Sequence, residues 1–85
     1  VLLRTFQLND DSMRYITYMN KTVWISSDNA VHIYDLSDQL IASIQQPKVN
    51  RLIALPSLNE CWGSTTDHTL HIFESKVSFF TATSC

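Results

Sequence analysis

The 85-residue chain is poor in the features that define several large protein classes. It has one glycine, two prolines and two cysteines, which excludes a collagen-like repeat and a disulfide-stapled scaffold. No apolar run approaches the roughly 18 residues that a membrane-spanning helix requires. The formal net charge of −2 gives no electrostatic reason to expect nucleic acid or an anionic membrane as a partner. At 45% apolar residues, the chain is predicted to fold into one small globular unit with neither partner.

The cysteines favour a reducing compartment. Cys61 lies in a strand-like run and is interpreted as a buried free thiol, whereas Cys85 is the last residue. A single disulfide between the two remains an alternative. We expect a cytoplasmic location, since no signal-peptide pattern follows Val1. Because the chain begins at Val1 and not at Met, we also expect it to be a processed or excised piece of a longer protein.

Short runs rich in β-branched, aromatic and aliphatic residues, separated by Asn, Asp or Pro, predict strands along the whole chain. The predicted strands cover residues 1–8, 14–19, 22–27, 30–36, 40–45, 49–55, 60–65, 69–74 and 77–83. No segment shows the 3.6-residue period of an amphipathic helix. The fold class predicted from this pattern is all-β.

The strands repeat with a period close to 40 residues. Trp62 follows Trp24 by 38 residues, and His71 follows His32 by 39. Repeats of this length, built from short strands, are typical of β-propeller blades. Continuous apolar runs such as residues 52–55 predict strands that are buried on both faces, as in stacked sheets. Trp62 is accordingly placed in the core, where Trp62→Ala would cost ~3–5 kcal/mol.

Two strand connections, Asp28-Asn29 and Asp67-His68, stand where Asp-Gly is typical of a hairpin. Asn and Asp tolerate a left-handed backbone and replace the missing glycines. His68 is a less usual occupant of such a position, so some turn strain is expected there.

Residues 65–74 show a tight Asp turn, a threonine, alternating apolar residues and an aromatic-acidic pair. Tyr34-Asp35 and Phe73-Glu74 occupy the places of the Trp-Asp dipeptide. With a tryptophan in each preceding strand, the chain resembles a degenerate WD-repeat β-propeller, of the divergent kind found in large multidomain signalling proteins. The resemblance implies a partial propeller over residues 1–85. Residues 1–8 would form the outer strand of a preceding blade, and residues 13–46 and 49–84 two four-stranded antiparallel blades.

Two blades leave two apolar faces open, so the implied partners are further propeller blades, from the same polypeptide or from copies of this chain. We expect a non-enzymatic protein–protein interaction scaffold, a segment of a larger signalling or regulatory protein. The alternative is a short carbohydrate-binding lectin that assembles as a homo-oligomeric propeller. A third possibility places the module inside an enzyme with its catalytic domain elsewhere.

The candidate partner-binding residues lie in the loops at one end of the predicted blades. Arg14 and Arg51 each open an innermost strand, where repeated arginines would form a ring facing an acidic or phosphorylated partner. The alternative is that they bond loop carbonyls and neutralise Asp11 or Asp67. The remaining candidates belong to the two hairpin loops and are Asp28, Asn29, Asp67 and His68.

No catalytic, cofactor-binding or metal-binding residue is predicted. The serines near the hairpins lack a neighbouring base with an orienting acid, and no glycine loop is present to cradle phosphate. His32 and His71 hold equivalent positions in the two repeats, so we expect them to diverge in space and not to form a metal pair.

Overall fold

The computed structural model describes residues 1–8 and 12–75, and their regular structure consists of strands and one turn of 3-10 helix. The strands are β1 Met13–Met19, β2 Thr22–Ser27, β3 Val31–Asp35, β4 Leu40–Ile44, β5 Arg51–Leu55, β6 Glu60–Ser64 and β7 Leu70–Glu74, with the 3-10 helix Pro56–Leu58 before β6. The predicted all-β class is confirmed. Each observed strand lies within two residues of a predicted one at both ends.

The strands form two antiparallel meanders. Sheet 1 has the order β1-β2-β3-β4 and sheet 2 the order β5-β6-β7. Trp24 pairs with Thr17 and Ile33 in sheet 1. Sheet 1 has the predicted four strands; the predicted fourth strand of sheet 2, residues 77–83, lies outside the described residues. In the described part of the chain, neither sheet closes on itself.

Residues 1–8 form no strand, so the strand predicted for this segment is not observed, while its assignment to a preceding blade stays a prediction. The segment packs through side chains on a sheet face and not through backbone bonds to a sheet edge. The Phe6 ring contacts the Tyr34 ring edge-on, with centroids 5.0 Å apart. Arg4 donates to Asp38 through Nε and Nη2, at 2.9 and 3.1 Å. These contacts hold the N-terminal segment against β3 and the β3–β4 turn.

The hydrophobic core lies between the two sheets. Trp24 is fully buried, and its ring centroid lies 6.3 Å from that of Phe73 in sheet 2. The buried residues of the core cluster are Met19, Trp24, Val31, Ile33, Val49, Leu52 and Cys61. Sheet-on-sheet burial therefore provides the apolar contacts that hold the fold together.

The apolar runs at residues 23–25 in β2 and 52–55 in β5 both predict burial on two faces, and the prediction holds only for β2. In β2, Trp24 and Ile25 point to opposite faces and are both buried. In β5, Leu52 is buried but Ile53 is 60% exposed. Trp62, which pairs with Ile53, is only partly buried, so the prediction that it occupies the core is wrong. The face of sheet 2 that carries Trp62 is open.

The turns explain the change of repeat spacing from 38 to 39. In the β2–β3 hairpin, two residues lie between Ser27 and Ala30, which are joined by a hydrogen bond from Ser27 N to Ala30 O at 2.8 Å. In the β6–β7 hairpin, three residues lie between Thr65 and Thr69, which are joined by a hydrogen bond from Thr65 N to Thr69 O at 3.1 Å. The extra residue allows His68 to adopt φ 66°, the left-handed position of a hairpin with a bulge. The predicted unusual backbone at His68 is confirmed.

We expect His68→Gly to raise the free energy of unfolding by ~0.5–1 kcal/mol, because a left-handed backbone costs an L-residue about that much more than glycine. The measurement is the urea midpoint. The matched control is Asn29→Gly in the two-residue hairpin, where φ is not positive. Glycine there adds unfolded-state entropy and removes the Asn29 side chain, with no left-handed backbone to relieve, so stability should fall. Equal changes in the two variants would contradict the turn assignment.

The connection from β4 to β5 is short and tied to both sheets. Lys48 N donates to Asp28 O of the β2–β3 loop at 3.1 Å, and Asn50 N donates to Ser64 O of β6 at 2.8 Å. Lys48 has φ 60°, and Val49 is fully buried in the core. At the opposite edge, Asn20 Nδ2 lies 3.3 Å from Asn59 Oδ1. The sheets are thus fixed to one another at both ends.

Cys61 is a free, fully buried thiol, as predicted, and burial raises its pKa from 9.0 to about 11. Because the unfolded chain ionises first, stability is fully present below about pH 9 and falls as the pH rises from 9 to 11. We expect the urea midpoint to fall more steeply over this interval than in Cys61→Ala, which lacks the thiol. Parallel curves for the two proteins would contradict this assignment.

Candidate interaction surface

The loops that the sequence predicts as binding sites lie at the same end of the strands in both sheets. Since all neighbouring strands are antiparallel, the starts of β1, β3, β5 and β7 and the ends of β2, β4 and β6 lie at that end. We call this end of the sheets the loop face. Within the described residues it carries all six predicted partner-binding residues: Arg14, Arg51, Asp28, Asn29, Asp67 and His68. Loops on a fixed scaffold are the usual place for recognition.

Arg14 joins three loops on the loop face. Its Nε donates to Asp28 Oδ1 at 2.7 Å, and Nη1 donates to Asn50 Oδ1. The Ser12 hydroxyl donates to the other carboxylate oxygen, Asp28 Oδ2, at 3.0 Å. Asp28 is the neutralising carboxylate; Asp11, one of the two expected, lies outside the described residues. The guanidinium is engaged in holding the edges of both sheets together, so its chemistry here is structural.

Arg51 stands in a different environment. Its guanidinium carbon lies 5.9 Å from the centroid of the Tyr15 ring in sheet 1. Among the described residues, ion pairs are formed by Arg4 and Arg14 and not by Arg51. Cation–π contacts at exposed sites contribute ~0.5–1 kcal/mol and leave the guanidinium N–H groups accessible. Arg51 is therefore a cation on the loop face that is able to bind an acidic group.

The predicted equivalence of Arg14 and Arg51 is wrong. The β1–β2 register shifts between Met13 and Tyr15, so Arg14 sits at a bulge. Tyr15 pairs with Ser26 as Arg51 pairs with Ser64, which makes Tyr15 the structural counterpart of Arg51. A bulge adds one residue to one strand and re-aims its side chain. The two sheets thus do not carry an arginine at equivalent positions, and the predicted ring of repeated arginines has no support from this pair.

Asp67 and His68 form the tip of the β6–β7 hairpin. The Thr65 hydroxyl donates to Asp67 Oδ1. Hydrogen bonds from Thr65 and then Thr69 lower the pKa of the Asp67 carboxyl, so it is ionised at neutral pH. This carboxylate serves its own turn, as Asp28 serves the Arg14 cluster. The two equivalent loops thus differ in length, backbone and hydrogen bonding.

His32 and His71 lie in different sheets. His32 Nδ1 lies 2.8 Å from Ser43 Oγ in sheet 1, whereas the His71 ring stacks near Phe73 in sheet 2. Over residues 1–8 and 12–75, no group of three or more His, Cys, Asp or Glu residues could hold a metal ion. The same residues include no helix with the length and apolar character of a membrane-spanning segment.

A second surface, which the sequence did not single out, is the open face of sheet 2. We call it the Trp62 face, and its apolar members are Ile53, Trp62, Leu70 and Ile72. The three aliphatic side chains, Ile53, Leu70 and Ile72, are 55–60% exposed. A cleft of about 350 Å³ lies on it, between Arg51, Trp62 and Leu70. Apolar Leu70 and Ile72 alternate with His71 along β7, and this was the signal available in the sequence.

The Trp62 face repeats the face of sheet 1 that is buried in the core. Trp62 corresponds to Trp24, and each indole donates to the side chain two residues before it, Glu60 Oε1 and Thr22 Oγ1, at 3.0 Å. Ile72 corresponds to Ile33, which is buried. Sheet 2 meets sheet 1 through its opposite face. The contact joins the Trp24 side of sheet 1 to the Phe73 side of sheet 2. The side of sheet 1 that carries Tyr34 and the Trp62 face of sheet 2 are left on the outside of the pair.

The chain matches no protein-family model, and no curated protein or solved structure shows significant similarity to it.

Proposed function

We propose that the chain is a segment of a WD-like β-propeller that acts as a protein–protein interaction scaffold in a larger cytoplasmic signalling or regulatory protein. The observation that carries the proposal is the packing of unlike sheet faces. The Trp24 side of sheet 1 is covered by sheet 2, while the corresponding Trp62 face is exposed. A unit with one surface of each kind accepts further units at both ends, as propeller blades do.

We assign partner docking to the loop face, and we infer that the partner is an acidic protein segment. Arg51 supplies an accessible guanidinium beside Tyr15, and guanidinium–carboxylate pairs combine charge with directed hydrogen bonds. Arg14 holds the loops in place through Asp28 and Asn50. The two hairpin loops differ in length, which favours one asymmetric protein partner over a sugar site repeated in each blade.

The test is a titration of the isotope-labelled chain with a glutamate-rich octapeptide, followed by backbone amide shifts. We expect shifts centred on the loop face and about tenfold weaker binding in Arg51→Gln, because a hydrogen bond to a charged group contributes ~1.5–3 kcal/mol. Affinity should also fall as salt is raised.

Lys21→Gln is the matched control. It removes the same charge from the β1–β2 turn, at the edge opposite the loop face. Binding should be nearly unchanged in this variant. Equal weakening in both variants, or shifts spread over both edges, would mean non-specific attraction and would overturn the assigned surface.

A further inference from the structure

Phe6 stands where the repeat places a tryptophan. Inside the core, the Phe73 ring of sheet 2 is contacted by Trp24 of sheet 1. The counterpart of Phe73 in sheet 1 is Tyr34, since the two pair with Cys61 and Val23 in the same register. The ring against Tyr34 is Phe6, at 5.0 Å and 79°. The N-terminal segment thus covers part of a face of sheet 1 whose counterpart in sheet 2 packs against another sheet.

We call this outer surface of sheet 1 the Tyr34 face; it includes Ile16, Tyr18, Ile25, His32, Tyr34 and Leu40. Ile16 remains 63% exposed and Leu40 54% exposed, so the N-terminal segment covers the face incompletely. A cleft of about 370 Å³ lies between the segment and β3, lined by Phe6, Tyr34 and Leu40 among others.

The N-terminal segment is weakly held. Its ion pair, Arg4 with Asp38, is solvent-exposed, and pairs of that kind contribute little to stability. Leu2 and Leu3 are 79% and 86% exposed and contribute little burial. The main apolar contact of the segment is the edge-on pair of Phe6 and Tyr34, which is a single aromatic pair. A surface that buries more apolar area can therefore displace the segment.

We propose that two copies of this chain associate head to tail, with the Trp62 face of one copy on the Tyr34 face of the other, and that the N-terminal segment competes for the Tyr34 face. The proposal rests on the open-ended repeat that underlies the proposed function. The internal packing of sheet 1 on sheet 2 is its precedent: Trp62 takes the place of Trp24, and Tyr34 of the second copy takes that of Phe73. The contact is heterologous, so it differs from a two-fold dimer.

The experiment uses sedimentation equilibrium of the 85-residue chain and of four variants. Phe6→Ala weakens the competitor and should tighten self-association about tenfold. Leu2→Ala, in the same segment but exposed, is the matched control and should leave association unchanged. Identical association of these two variants would overturn the role of the N-terminal segment.

Two further variants, made in the Phe6→Ala background, block one face each. Ile72→Asp alters the Trp62 face and Ile16→Asp the Tyr34 face. Both residues are more than half exposed here, while their counterparts in the internal interface, Ile33 and Leu52, are buried. Each variant alone should be monomeric, and an equimolar mixture should form a one-to-one complex and nothing larger.

Association of either blocked variant with itself, or failure of the mixture to form a complex, would overturn the head-to-tail contact. Circular dichroism of each variant confirms that it is folded. The proposed function is tested separately by the octapeptide titration on the loop face. Monomeric behaviour of every variant together with peptide binding would therefore reject the copy interface alone.

Discussion

Trp24→Ala should lower the free energy of unfolding by ~3–5 kcal/mol, the loss typical of a large aromatic side chain removed from a core. Trp24 has no exposed surface, and it bridges the two sheets through Phe73. Its indole N–H also donates to Thr22, whose hydroxyl in turn donates to Met19 O. Domains of this size are stable by only ~5–10 kcal/mol, so the variant should lose about half of its stability.

Trp62→Ala is the matched control, because Trp62 holds the equivalent position in its own sheet but has no sheet against its face. We expect a smaller loss, ~1–2 kcal/mol at low protein concentration, since Trp62 is only partly buried. Both values come from urea unfolding followed by circular dichroism, which does not depend on tryptophan fluorescence. A Trp62→Ala loss as large as that of Trp24→Ala would contradict the difference in burial.

Gly63→Ala should cost ~1–3 kcal/mol, through overpacking and not through backbone strain. Gly63 has no positive φ. A Cβ there would lie 2.8 Å from Val49 Cγ1 and 3.2 Å from Phe73 Cε2. Val49 is fully buried and branched at Cβ, so it has little freedom to move away. Glycine at this position allows the connection between the sheets to lie directly on β6.

A double-mutant cycle separates this clash from a general effect of glycine. Val49→Ala removes the methyl groups that the new Cβ would meet. The loss in the double variant should be smaller than the sum of the two single losses by ~1 kcal/mol, as for residues in direct contact. Strict additivity, measured by urea unfolding of all four proteins, would mean that Gly63 is needed for another reason.

Elements set by local patterns could be predicted from the sequence. The strand positions followed from short apolar runs between turn residues, and the left-handed backbone of His68 from its place in a glycine-poor hairpin. Burial of Cys61 followed from its position in a strand. These features depend on neighbouring residues along the chain, which is why a single sequence is sufficient for them.

Features that depend on register or on distant packing could not be predicted. Spacing alone matched Arg14 to Arg51, whereas a one-residue bulge makes Tyr15 the true counterpart. The repeat likewise gave Trp24 and Trp62 equal status, although only one of them has a sheet against it. Residues 1–8 have a strand-like composition, but side-chain contacts with Tyr34 determine their path.

The connection between β4 and β5 has a geometric consequence. Hydrogen bonds from Lys48 and Asn50 fix this connection to the loops of both sheets, and Val49 fills the gap beneath Gly63. This connection therefore sets the angle between the two sheets. One residue inserted beside Lys48 would change that angle while leaving each sheet intact.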